Sequence, residues 1–261
     1  MESAEVNMHE PTLDDATTAR EIVDWTLARL TDRRGTLPAA RQAAPLPELT
    51  AAGIGVAATW EVLRDAVIPT AIPPDHPRFF AFVAGTPTVA AVLSDMALPA
   101  AMIFGGSRLE GGAAVKAEDA AVRWLADAAG FPASAGGTFV SGGSIANLSA
   151  LVAARGTDTT RRRQVIVAGA SAHASMTAAA HIMGCDLVTA RPADDHGRLT
   201  GGVLEEALSG RAADEVVAVG ATAGATNTGA FDDLHGVADV CAARGLRLHV
   251  DGAYGGAALL S

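Results

Sequence analysis

Three short stretches carry side chains whose types and spacing could do chemistry. The first, Ser141-Gly142-Gly143-Ser144-Ile145-Ala146-Asn147, follows an apolar run and leads into a helical one. Glycines let a backbone approach a ligand closely, hydroxyls donate hydrogen bonds, and a helix start offers unpaired N–H groups and the positive end of its dipole. Together they can cradle a phosphate; the plainer alternative is a strand-to-helix turn with a serine cap. The stretch contains neither G-x-G-x-x-G nor the Gly-Lys-Ser/Thr of a P-loop. A G-x-S-x-G nucleophile elbow is half met, since Gly142-Gly143-Ser144-Ile145-Ala146 lacks the second glycine.

The second stretch is Ser171-Ala172-His173-Ala174-Ser175. A histidine opening a helix could stack on a planar cofactor or work as an acid or base, or be simply a solvated polar residue. The third is Leu248-His249-Val250-Asp251, followed by Gly252-Ala253-Tyr254-Gly255-Gly256. Strand alternation puts His249 and Asp251 on one face. A carboxylate at the carboxyl end of a buried strand is unfavourable without a cation, and a protonated pyridine nitrogen would serve. The alternative is an aspartate capping the following turn. A metal site on His249 and Asp251 is disfavoured, because no third ligand has the spacing. Between these stretches, Thr222 to Ala230 is a run of small and hydroxylated residues, either a flexible loop or a place where a ligand ring meets backbone.

The elements that must position these residues alternate in type. Apolar runs predict strands at Thr138 to Val140, Gln164 to Ala168, Asp186 to Thr189, Glu215 to Val219 and Leu246 to Val250. Helical stretches are predicted near 145–155, 174–183, 202–210 and 233–244. That order indicates an α/β fold with a mainly parallel sheet covered on both faces, and ligands in such sheets sit beyond the carboxyl ends of the strands. Upstream, residues 12–70 read as helices: Thr12 is a candidate N-cap before Asp14 and Asp15, and Val23, Leu27 and Leu30 share a face. A proline-rich link runs from Leu37 to Pro47. The prolines at 73, 74 and 77 then break helix, which predicts a boundary between an N-terminal helical arm, 1–75, and a main domain, 76–261.

Composition sets the outer bounds. The 261 residues are 49% hydrophobic and 18% charged, enough for a packed core and inconsistent with intrinsic disorder. A net charge of −10 argues against nucleic-acid or anionic-membrane partners. Two cysteines, Cys185 and Cys241, are too few for a disulfide framework and fit a cytoplasmic protein. Met1 to Pro11 lacks the apolar segment of a secretory signal, and apolar runs stop well short of the roughly 18 residues of a membrane span. Among the 19 basic residues only Lys116 is a lysine.

Taken in order, His76-Pro77-Arg78-Phe79-Phe80-Ala81-Phe82, Ser141 to Asn147, His173-Ala174-Ser175, Gly224 to Asp232 and His249 to Gly256 resemble the group II pyridoxal-phosphate-dependent amino-acid decarboxylases. These include the aromatic-L-amino-acid, glutamate and tyrosine decarboxylases. The resemblance runs from about residue 12 to the end. It implies the large domain of the fold type I, PLP-dependent transferase-like architecture, and an N-terminal arm that embraces a second subunit in a homodimer. It also implies pyridoxal 5′-phosphate as cofactor and an L-amino acid as substrate. Gly143 and Ser144 would hold the phosphate, with Asn147 supporting the turn. His173 would stack on the pyridine ring, Ala253 would lie under its other face, and Thr226 would sit near the 3-hydroxyl. Asp251 would pair with the ring nitrogen. His76, Pro77 and Phe79 would help wall the substrate pocket, where Phe79 and Phe80 would admit an aromatic side chain.

Two departures are mild: Ile145 stands where Glu is common, and Ala174 where Ser is common. A third is larger. The family's Schiff-base lysine follows the His-Val-Asp segment, on a stretch that would come after Ser261, and Lys116 lies ahead of the phosphate turn in an unrelated motif. The resemblance therefore implies a longer chain carrying that lysine, a smaller C-terminal domain and a mobile catalytic loop. Two other readings stay open here. One is a lysine-less relative that binds the cofactor non-covalently or plays a regulatory part; the other is an α/β serine hydrolase using Ser144, Asp232 and His249.

Overall fold

The computed structural model describes residues 13–32, 45–48, 51, 53–79, 82–156, 164–192 and 194–261. Thr12, Phe80 and most of the Leu37 to Pro47 link lie outside the described residues. The chain divides into two compact units, Met1–Ala100 and Ala101–Ser261.

In the first unit, α1 (Leu13–Thr31) opens with Asp14 and Asp15, whose charges favour a helix N-terminus. It packs on α2 (Gly55–Val62), where the rings of Trp25 and Trp60 meet edge to face at 5.5 Å. The helical path continues through tighter and wider turns to Thr70 and ends where Ala71 turns extended. The proline stretch follows as turns, pinned by Arg29, whose guanidinium donates to Asp75 at 2.6 Å. A third helix, α3 (Val89–Ala100), completes the unit.

The second unit begins with α4 (Arg108–Ala128), capped by Ser107 and interrupted at Gly112, where φ is 45°. There follow α5 (Gly143–Arg155), β1 (Val165–Ala168), α6 (Ala174–Met183), β2 (Asp186–Thr189), α7 (Gly201–Ala207), β3 (Val216–Thr222), α8 (Leu234–Arg244) and β4 (Leu248–Asp251). The four strands form one parallel sheet in the order β2-β1-β3-β4.

Pleat alternation explains why the sheet is covered twice. Val165 and Val167 face a core with Leu199, Leu204, Val237 and Cys241, on the α7 and α8 side. Ile166 and Ala168 face a second core with Leu151, Met176, Ala179 and Ala180, on the α5 and α6 side. Ile166 and Val167 are completely buried, each worth roughly 1.5–3 kcal/mol relative to exposure. Helices therefore clamp both faces and leave the carboxyl ends of the strands open, which is where the candidate residues sit. No helix among the described residues is long and apolar enough to cross a membrane.

Element ends shift by a few residues in several places, and two of the differences have a cause visible in the hydrogen bonds. Thr138 to Val140, predicted as a strand, pairs with no strand among the described residues; its polar groups go to α4 instead. The Thr138 hydroxyl and the Phe139 N–H both donate to Glu118 Oε1, at 2.8 and 2.9 Å, which holds the Glu118 carboxyl below its ordinary pKa. The strand predicted to end at Val219 runs on to Thr222, because Asp232 Oδ2 accepts the Thr222 N–H and Ala223 N–H bonds to Asp251 O.

Candidate functional site

At the carboxyl edge of the sheet, three chain segments of the second unit converge. The turn before α5 is set by Gly142, whose φ of 138° is open to glycine and strained for any residue with a Cβ. Ile145 and Ala146 make the first helical bonds, both to Gly142 O, so the N–H groups of Gly143 and Ser144 precede them and point off the helix end. Ser144 is exposed there. A Cβ added to Gly143 would stand 3.4 Å from the Ala253 methyl, so two small residues keep the floor beside the helix end low.

Asp251 closes β4 next to this floor. Its Oδ1 accepts the Ala253 N–H at 3.1 Å and its Oδ2 accepts Asn147 Nδ2 at 2.8 Å. A carboxylate has about four acceptor positions, so a further donor can still be received. The same Asn147 Nδ2 donates to Ser175 Oγ at 2.9 Å, and Ser175 Oγ lies 2.9 Å from His173 Nδ1. His173 is the N-cap of α6, its Nδ1 accepting the Ser175 N–H, while the rest of the ring is exposed. His249, half-buried beneath, meets Asn147 Oδ1 through Nε2 at 2.8 Å. Burial pushes the His249 pKa below the usual histidine value, opposed by the nearby Asp251 charge.

On its outer side His173 lines a cleft of about 790 Å³ together with Ser171, Thr226, Asn227, Asp194 and His196. The Thr226 loop holds its shape through Ala225 N–H to Ala230 O and Gly229 N–H to Ala225 O.

The structure thus brings Gly143, Asn147, His173, Asp251 and Ala253 together, and Thr226 lines the same cleft as His173. Ser144 stands at the helix end among them. One assigned role changes: Asn147 does not support the turn, because its side-chain amide bonds Asp251, Ser175 and His249. His76, Pro77 and Phe79 belong to the first unit, where Phe79 N–H donates to His76 O, Arg78 N–H donates to His76 Nδ1, and the Phe79 ring lies 6.3 Å from that of Phe82. The hydrolase triad is not assembled. Asp232, 5% exposed, accepts the Leu199 and Thr222 N–H groups, each at 2.7 Å, and His249 is engaged by Asn147. Lys116 is exposed on α4. Among the described residues no group of three or more His, Cys, Asp or Glu side chains is placed to hold a metal ion.

Sequence reasoning passed over Ser175 and gave His249 no part in the cofactor site. Both left a signal. Ser175 is two residues past an N-cap histidine, the spacing of a local side-chain-to-backbone bond, and strand alternation already put His249 on the face of Asp251.

A parallel sheet flanked by helices, with a glycine-led helix start and a carboxylate at the end of a neighbouring strand, is the large-domain architecture of pyridoxal-phosphate enzymes of fold type I. The model of the pyridoxal-dependent decarboxylase conserved domain matches residues 59–261. The chain is 35% identical over 200 residues to the aromatic-L-amino-acid decarboxylase of Bacillus atrophaeus, covering 72% of this chain and 40% of that protein. It is 36% identical over 224 residues to the L-2,4-diaminobutyrate decarboxylase of Rhizobium meliloti (strain 1021), covering 83% and 44% respectively. Among solved structures it resembles Oryza sativa TDC with PLP and tryptamine, at a TM-score of 0.74 and 26% identity, covering 97% of this chain and 60% of that chain. The chain belongs to the pyridoxal-dependent decarboxylase family. It spans less than half the length of these two curated relatives.

Proposed function

We propose that this chain is the cofactor-binding part of an enzyme that decarboxylates an L-amino acid to the amine and CO₂ with pyridoxal 5′-phosphate. The observation that carries the reading is the joining of Asp251, at the end of β4, to the helix-capping His173 through Asn147 and Ser175, beside the glycine-led start of α5. When bound, the cofactor supplies an electron sink for the bond pair released as CO₂ departs.

The chain's own residues do the rest. Gly143 and Ser144 offer N–H groups and a hydroxyl to the phosphate at a helix start whose dipole favours an anion. Asp251 would hold a proton on the ring nitrogen by charge and hydrogen bond. His173 would cover one ring face, and Ala253, with only a methyl, would let the other face lie close to backbone. Thr226 would sit near the 3-hydroxyl. The cleft beside His173 and Thr226 gives the substrate room, and His76, Pro77 and Phe79 are assigned to substrate contact on the family resemblance alone. The acidic balance and two unpaired cysteines support work in the cytoplasm, and the helical first unit supports a homodimer through the family's arm.

Equilibrium titration tests the reading. Pyridoxal 5′-phosphate should bind saturably, and pyridoxal, which lacks the phosphate, at least tenfold more weakly. Equal binding of the two would remove the helix-start assignment, and binding of neither would remove the cofactor.

A further inference from the structure

Asn147 sits inside α5, where asparagine is a poor helix former and an apolar residue would serve the helix better. It is nevertheless 4% exposed, and its amide reaches partners on α6 and β4. A carboxylate can only accept, so the Asn147 NH₂ must face Asp251 and its carbonyl must face His249, which makes His249 a donor at Nε2. His173 Nδ1 accepts the Ser175 N–H and so carries no proton, which leaves Ser175 Oγ, already accepting from Asn147, as the donor to it. One amide orientation thereby fixes four other side chains.

We infer that Asn147 is a positioning residue: it aims the Asp251 carboxylate at the cofactor's ring nitrogen and, through Ser175, holds the ring of His173, while His249 clamps the amide against turning over. The inference rests on the cofactor reading given above. Its physical basis is that a half-buried carboxylate with one fixed partner on each oxygen is held in one rotamer, whereas one that lost Asn147 could turn toward water.

The test uses the protein with pyridoxal 5′-phosphate carrying ¹⁵N in its ring. Asn147→Leu should weaken cofactor binding about tenfold, the usual cost of stranding buried hydrogen-bond partners. It should also move the ring-nitrogen resonance away from the protonated position. His249→Gln keeps a donor toward Asn147 Oδ1, and should stay within twofold and keep the resonance, whereas His249→Leu should follow Asn147→Leu. In the cofactor-free protein, the Asn147 side-chain amide protons should exchange slowly in wild type and His249→Gln, and quickly in His249→Leu. Unchanged affinity and resonance in both leucine variants would overturn the inference while leaving cofactor binding intact; so would a freely exchanging Asn147 amide in wild type. If Asn147→Leu does not fold, the two His249 variants decide the matter. Slow amide exchange in a wild-type protein that binds no cofactor would overturn the cofactor reading, and the positioning role with it.

Discussion

The start of α5 and the end of β4 lie side by side and are built from different materials. The first is made of backbone: Gly142 turns the chain at a φ of 138°, and the N–H groups of Gly143 and Ser144 face outward. The second is made of side chains, with Asp251, Asn147, Ser175, His173 and His249 joined in one hydrogen-bonded network. A phosphate is a diffuse anion that several N–H donors and a helix dipole can share, so no single side chain there is decisive. A ring nitrogen is one point, and keeping a proton on it takes a charge at one place in one orientation. The two regions should therefore differ in how they fail.

Asp251→Ala gives the largest expected effect. Removing the only carboxylate of the network should lower cofactor affinity about a hundredfold, the loss of a charge-assisted bond plus the penalty on its stranded neighbours. It should also reduce decarboxylation by the full-length enzyme to background, whereas Ser144→Ala should cost only a few-fold in affinity. Parallel titrations measure both. If Ser144→Ala were the more damaging, the phosphate end would be the decisive one and the contrast would be reversed.

Next in size is a pair of substitutions within the helix start. Gly142→Ala forces a Cβ into φ 138°, and should lower stability by roughly 1–3 kcal/mol in denaturant unfolding. Gly143→Ala meets only the Ala253 methyl at 3.4 Å and should lower it by less, while raising the floor on which the cofactor would lie. The expected pattern is a stability loss for the first and an affinity loss for the second. Equal stability losses would mean that the turn is not held at this φ in solution.

These two regions also differ in how much the sequence disclosed. The glycine turn was legible because everything it needs is contiguous, and α6 and β2 were legible as apolar runs with turn residues at their ends. The Asn147 to Asp251 bond spans 104 positions, so no local pattern could announce it; only the fold brings β4 beside α5. For the same reason Ser175 and His249 had no part in the cofactor site read from the sequence. Helices α3 and α4 were missed on other grounds, since Gly111-Gly112 interrupt the period of α4 and α3 carries apolar residues on every side. Thr138 to Val140 looked like a strand by composition, but its polar groups are taken by Glu118.

The smallest expected effect concerns pH, and it separates the side-chain network from the rest of the sheet. The His249 pKa lies below its ordinary value, because burial penalises its charged form more than the Asp251 charge favours it. The unfolded chain therefore takes up a proton near the ordinary histidine value of about 6.5 and the folded chain only at lower pH, so stability falls as pH drops below that region. His249→Gln has no proton to take up and should flatten the fall between pH 7 and 5 in urea unfolding. Asp232 has the opposite sign: burial raises its pKa despite the Leu199 and Thr222 N–H bonds, so the folded state keeps its proton longer than the unfolded one. Its share of the stability is greatest at low pH and is lost as pH rises from the ordinary carboxylate range, about 3.9, through its raised value. Asp232→Asn should remove that lower-pH feature and leave the His249 feature untouched, because the two groups share no hydrogen-bond partner. A single substitution that abolished both features would mean that His249 and Asp232 titrate as one unit, and that the β4 network is not separate from the Asp232 site.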